Sequence, residues 1–149
     1  ITVDLPPEEV GRLDHALIQV GIDNIFLISP TTENERIETI VARARGFIYY
    51  VAVKGVTGSG QLDVNEVAQR VGVIRGMTDL PVAVGFGIKD ADTASHVAQV
   101  ADAVVVGSAL IDEMVRKSRA DANLEEIQIH EAAVQLLKRI RSGVDSSPS

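Results

Sequence analysis

Pro81-Val82-Ala83-Val84-Gly85-Phe86-Gly87-Ile88 and Ala103-Val104-Val105-Val106-Gly107-Ser108-Ala109 decide the fold. Each is a short apolar run that stops at glycine. A run of four such residues is a strand buried on both faces, because a half-buried strand would alternate polar and apolar side chains. Between the two runs, Asp90-Ala91-Asp92 marks a helix start. The unit is therefore strand, helix, strand, with glycine at the C-terminal end of each strand.

The same unit repeats on the N-terminal side. Ile1 to Leu5, Ile25 to Ile28 and Phe47 to Val53 read as three more strands. Helical stretches separate them, with Val10, Leu13, Leu17 and Ile18 on one apolar stripe and Ile37, Ile40, Val41 and Ala44 on another. Pro6-Pro7-Glu8-Glu9, Thr32-Glu33-Asn34-Glu35 and Asp63-Val64-Asn65-Glu66 supply helix starts. A last helix is predicted over 124–140, carrying Ile127, Ala133, Leu136, Leu137 and Ile140 on one side. The Ser-rich stretch 142–149 reads as a disordered tail, leaving residues 1–141 as one domain portion. The first run is a strand already under way, with no Met before it, and reads as an N-terminal truncation.

Alternating strands and helices specify an α/β fold, either a TIM (β/α)8 barrel seen here as a partial barrel of about five β/α units, or a flavodoxin-like open sheet. The glycines favour the barrel. Lys54-Gly55-Val56-Thr57-Gly58-Ser59-Gly60 follows the third run, Gly85-Phe86-Gly87 the fourth and Gly107-Ser108 the fifth. In a barrel these strand ends are neighbours on one face, and the last two form the fold's usual phosphate site. Glycine lets the backbone approach an anion closely, and free amides at the start of a short helix such as Ala109-Leu110-Ile111 can donate to it. The segment 55–60 has neither the glycine order of a dinucleotide fingerprint nor the Gly-Lys-Ser/Thr of a P-loop.

Composition narrows the function classes. The 149 residues are 46% hydrophobic but 3% aromatic, so the core is aliphatic. Fourteen Lys and Arg against 21 Asp and Glu leave a net charge of −7 with no basic stripe, which argues against nucleic acid as a partner. The absence of cysteine removes disulfides, thiolate metal sites and a Cys nucleophile, and fits a cytoplasmic setting. No run approaches the ~20 apolar residues of a membrane span. His15, His96 and His130 fall in helical stretches without metal-ligand spacing and read as surface residues, so no metal site is expected. Asp4 reads as a turn cap before Pro6-Pro7, and Lys54 as a solvated strand-end lysine.

The combination of Val3-Asp4-Leu5-Pro6-Pro7-Glu8-Glu9, Tyr49-Tyr50 leading into Gly55-Val56-Thr57-Gly58, Gly85-Phe86-Gly87-Ile88 and Val106-Gly107-Ser108-Ala109, in that order, resembles the tryptophan synthase alpha chain family. The resemblance spans nearly the whole chain and corresponds to strands four to eight of that family's barrel. It implies a lyase that cleaves indole-3-glycerol phosphate to indole and glyceraldehyde 3-phosphate in tryptophan biosynthesis. It also implies an alpha2beta2 complex with a beta chain that carries pyridoxal phosphate, and no cofactor in this chain. By the same resemblance Gly58, Gly85, Phe86, Gly87, Gly107 and Ser108 surround the substrate phosphate. Tyr49 is the supporting active-site tyrosine, Thr57 lies in the loop over the substrate, and Ile1 lines the indole pocket. The family's acid and base, a Glu and an Asp on its second and third strands, have no counterpart among these residues. Two alternatives stand beside the lyase: another phosphate-binding barrel of the phosphoribosyl isomerase type, and a fragment that binds without catalysing.

Overall fold

The computed structural model describes residues 1–3, 5–52, 63–85, 87–121 and 125–147. Their elements run α1 (Gly11–Gln19), β1 (Phe26–Ile28), α2 (Asn34–Val41), β2 (Ile48–Val51), α3 (Val64–Arg75), β3 (Val82–Gly85), α4 (Ala91–Ala98), β4 (Ala103–Val105), α5 (Ser108–Ala120) and α6 (Glu126–Asp145). The four strands form one parallel sheet in the order β1-β2-β3-β4. A parallel return requires a crossover, and the crossover is right-handed. Successive steps in one direction therefore stack every helix on the same side of the sheet, as in a barrel wall. A flavodoxin-like sheet must reverse direction at a switch point. The sequential order rules that alternative out and is that of a partial TIM barrel.

Burial follows from this one-sided cover. Phe26, Ile28, Ile48, Tyr50, Val82 and Val84 face the helices and are all buried. Their alternates, Leu27, Tyr49 and Val51, point to the opposite, concave face and are half-buried. From the helix side Ile37, Ile40, Val67, Val71, Ile74 and Val97 complete the core. Helix starts behave as the acidic residues foretell. Asp63 caps α3 by accepting from the amides of Asn65 (2.9 Å) and Glu66 (3.3 Å), and Asp90 caps α4 by accepting from Thr93 N (2.8 Å).

Three sequence expectations change. The run Ile1 to Leu5 is not a strand among the described residues, so the sheet has four strands where five units were expected. One backbone bond, Thr2 N to Ile25 O at 3.4 Å, ties it toward β1, while Ile1 and Val3 are exposed. A strand needs a ladder, and here Pro6-Pro7 removes two donors while the outer side of the run meets no strand among the described residues. In α6 the buried positions are Ala132, Leu136 and Ile140, and the predicted stripe members Ile127 and Leu137 are 58% and 47% exposed. The helix also runs through Asp145, into the stretch read as a disordered tail. There Ser147 Oγ donates to Ser95 O (2.7 Å), and Gly143 lies against the backbone of Ala91, whose Cα is 2.9 Å from where a Cβ would stand. Small residues at that crossing let α4 and α6 touch, a proximity that composition alone does not announce.

At the N-terminal end of the sheet, Asp102 joins two strands. Its Oδ2 accepts from Val82 N (2.8 Å), its own amide donates to Val82 O (3.0 Å), and Arg75 Nη2 reaches Oδ1 (2.7 Å). Arg75 and Asp102 side chains are 45% and 42% exposed, so their ion pair adds little, about 0–1 kcal/mol. The bond to the Val82 amide carries more of the weight. Asp102→Ala is expected to lower stability by about 1–2 kcal/mol, and Arg75→Ala by clearly less; chemical denaturation of the two variants checks the order.

Candidate functional site

The register fixes which strand ends meet. Val51 pairs with Gly85 and Gly85 with Val105, so these three residues form one row across the concave face. Two residues further on, Gly87 and Gly107 lie in the connections that follow β3 and β4, and these connections leave the sheet from neighbouring strand ends. Gly87 has φ +78°, a left-handed conformation that an L side chain adopts only with strain. Gly107 precedes α5 with open space where a Cβ would stand, and α5 receives no side-chain cap. Leu110 N already donates to Gly107 O (3.0 Å), and the amides of Ser108 and Ala109 before it have no hydrogen-bond partner among the described residues. Ser108 is exposed at this end. Backbone N–H groups and a hydroxyl converging where two turns meet are suited to an oxyanion such as phosphate.

Tyr49 joins this cluster from the neighbouring strand. Its ring lies over Gly85, and a Cβ there would overlap the phenol hydroxyl and sit 2.7 Å from Cζ. Glycine at 85 is thus required by the tyrosine's seat, and Tyr49 is brought to the same end of the sheet as the two turns. Tyr50, one residue on, faces the helices and is 1% exposed. Burial pushes its phenol pKa up, Glu66 adds to that, and Arg70 opposes it. Of the two tyrosines, the concave-face one is the residue that the family resemblance singles out.

Of the other expected site residues, Thr57, Gly58 and Phe86 lie outside the described residues, as do Asp4 and Lys54. Ile1 is 66% exposed, and its neighbour Thr2 donates its amide to Ile25 O just before β1 (3.4 Å). His15 contacts Gln19 within α1 (3.0 Å), His130 stands 3.8 Å from Glu126 on α6, and His96 is exposed on α4. No group of three His, Cys, Asp or Glu among the described residues is arranged to hold a metal. Among the described residues no helix is long and apolar enough to cross a membrane.

Sequence reading passed over Ser29. One residue beyond the Ile28–Tyr50 pair, it continues the row of Val51, Gly85 and Val105, and its Oγ lies 3.0 Å and 3.1 Å from the hydroxyls of Thr31 and Thr32. It also borders a groove of about 540 Å³ along β1, with Thr2, Leu5, Leu27 and Val51. That groove is lined mainly by apolar side chains, its one lining cation, Arg36, is paired with Glu8, and it lies along β1 rather than at the glycine turns. The signal for Ser29 was available in strand alternation, since Leu27 and Ser29 share a face.

Asp90 sits beside the β3 turn and illustrates how the site's neighbours are committed. Hydrogen bonds from the Thr93 hydroxyl (2.6 Å) and amide hold its carboxyl pKa below the usual value. A depressed folded-state pKa gives stability that is present above the unfolded value of about 4 and is lost as pH falls through the lower folded value. Acid titration of stability should therefore lose a component below about pH 4, and Asp90→Ala should lack that component. Gly85→Ala is expected to cost about 1–3 kcal/mol by overpacking against Tyr49. Tyr49→Ala should relieve most of it, giving a coupling of about 1 kcal/mol or more in a double-mutant cycle; additive losses would show that Gly85 and Tyr49 do not contend for the same space.

The model of a family described as "Tryptophan synthase alpha chain" matches residues 1–141. The tryptophan synthase alpha chain of Nitrosococcus oceani is 48% identical over 148 residues, covering 99% of this chain and 52% of that protein. That of Alkalilimnicola ehrlichii is 54% identical over 114 residues, covering 76% of this chain and 42% of its own length. A crystal structure of the alpha chain from Legionella pneumophila subsp. pneumophila superposes with a TM-score of 0.80 at 35% identity, over 99% of this chain and 52% of that one. Tryptophan synthase from M. tuberculosis, in its aminoacrylate-bound form, superposes with a TM-score of 0.75 at 28% identity, over 95% of this chain and 48% of that one. The chain spans about half the length of the curated relatives it matches. Sequential parallel strands, adjoining glycine turns and a family match over residues 1–141 agree, and the chain belongs to the tryptophan synthase alpha chain family.

Proposed function

We propose that these residues form the phosphate-gripping part of a lyase that cleaves indole-3-glycerol phosphate to indole and glyceraldehyde 3-phosphate. The observation that carries the reading is the adjacency of the turn at Gly85 and Gly87 to the turn at Gly107 and Ser108, with Tyr49 laid over the first. Phe86 and Gly58 belong to the same phosphate site in this reading, Thr57 to the loop over it and Ile1 to the indole pocket. Family membership favours the lyase over a phosphoribosyl isomerase.

Retro-aldol cleavage breaks the bond between the indole ring and the glycerol chain. The ring carbon takes up a proton as the bond breaks, and the adjacent hydroxyl gives one up as it becomes the aldehyde. Each transfer needs a group within hydrogen-bond reach, and each is worth about 10²–10⁴ in rate. On the concave face the described strand residues and Ser29 present the hydroxyls of Ser29 and Tyr49 and no carboxylate. A serine hydroxyl is too weak an acid and base for either transfer at neutral pH, and the Tyr49 phenol belongs to the site as a supporting group. By the family resemblance the acid and base are a Glu and an Asp of that family's second and third strands. What this chain's residues supply is anchorage: a phosphate fixed at one end of the substrate holds the bond to be broken at a set height above the sheet. In this reading the protein works with a beta chain that carries pyridoxal phosphate and consumes the indole, and a cysteine-free chain suits the reducing cytoplasm.

Two measurements test the reading. Glycerol phosphate should bind the chain by calorimetry. Gly87→Asp should abolish that binding, because a side chain and a negative charge both enter the anion site at a left-handed position. Gly87→Asn, which tolerates that backbone and carries no charge, should lose less; equal affinity in all three proteins would remove the site. The 149 residues by themselves should release no indole from indole-3-glycerol phosphate, and a separately expressed N-terminal half of a relative should restore release. Turnover by the 149 residues alone would place the acid and base among them.

A further inference from the structure

An anion that approaches this chain meets a net charge of −7, and the turns described so far answer it with neutral groups alone: amides, a hydroxyl and a phenol. The strand-end connections hold one cation among the described residues, Lys89, two positions beyond Gly87 on the β3–α4 turn. Two residues of chain span at most about 7 Å, so its backbone lies beside the proposed phosphate position. Lys89 is exposed and makes no ion pair or hydrogen bond with a described residue. Its acidic neighbour Asp90 accepts from Thr93 N (2.8 Å) and Thr93 Oγ1 (2.6 Å) as the cap of α4, and Lys89 acts on that carboxylate only through space, as the smallest of the influences on it. Arg36 and Arg70, two cations toward the β1 side, are committed. Arg36 pairs with Glu8, and Arg70 donates to Thr32 O and to Asn34 Oδ1 at 3.1 Å. Without Lys89 the start of α4 would present only carboxylates, Asp90 and Asp92, to an incoming dianion.

We propose that Lys89 is a binding residue of the phosphate site, supplying the positive charge that the glycine turns lack and setting the preference for a doubly charged phosphate over a neutral polyol. The proposal rests on the reading of those turns as the phosphate site. A cation near a dianion on a protein surface contributes a modest, salt-screened attraction. Its hallmark is loss of affinity on charge removal that fades as ionic strength rises.

The test is titration of the chain with inorganic phosphate and with glycerol phosphate at low and high ionic strength. Lys89→Gln should weaken both by roughly threefold to tenfold at low salt and by less than about twofold near ~1 M, where the Debye length is ~3 Å. Lys89→Arg should keep the affinity. Lys138→Gln, the same charge change on α6, should leave it unaltered, and the melting temperature of Lys89→Gln should stay close to the parent's because the side chain makes no hydrogen bond or ion pair with a described residue. Unchanged affinity in Lys89→Gln, or an equal loss in Lys138→Gln, would overturn the assignment while the glycine site stands. Failure of the parent chain to bind either phosphate would remove the site itself and the role of Lys89 with it.

Discussion

Every feature of this half-barrel follows from the requirement that each strand return to the same end of the sheet by a helix on the same side. Because the strands are parallel and sequential, their C-terminal ends are side by side, and residues distant in the chain share a row. Val51, Gly85 and Val105 are level by register alone. The turns that follow them are therefore neighbours before any side chain has contributed. A helix-flanked sheet with the order of its strands changed would scatter the same glycines to places where they could not serve one ligand.

The two ends of the sheet then divide the labour. At the N-terminal end Asp102 ties Val82 and Arg75, and Arg45 joins Asp14 at 3.0 Å, contacts between elements that hold the strands in place. At the C-terminal end the residues are small or committed to their own caps, leaving amides free at α5 and open space beside Gly107. Chemistry can be concentrated at the second end because cohesion is secured at the first and in the aliphatic layer between them.

What could be read in the sequence was what local rules govern. Asp63 and Asp90 announced their helices because a cap acts over three residues, and Val82 to Val84 announced a strand because burial on both faces leaves no alternation to hide it. The order of strands was legible only as a choice between barrel and open sheet, since no residue encodes it locally. Ile1 to Leu5 has strand composition yet makes no strand among the described residues, because pairing depends on partners rather than on propensity. The face of α6 was misread for a similar reason. Leu137 and Ile127 satisfy a helical stripe, but the surfaces available for docking are those of α4 and α5, and they select Ala132, Leu136 and Ile140 instead. At the site, glycine positions were legible and the reason for Gly85 was not, since its neighbour Tyr49 is 36 residues away in the chain.

The contact of Gly143 with the backbone of Ala91 gives the end of α6 a mechanical connection to the end of the sheet where the glycine turns lie. Ala91 opens α4 directly after Asp90 and Lys89, only four positions from Gly87. The closing turns of α6 thus act as a buttress behind the loop on which phosphate would rest, with Ser147 riveted to Ser95 one turn farther along α4. Distance along the chain is therefore a poor guide to influence in this molecule. The last residues of the closing helix brace a turn more than fifty positions earlier, and a bulkier residue at that crossing would tilt the floor of the site without touching anything that lies in it.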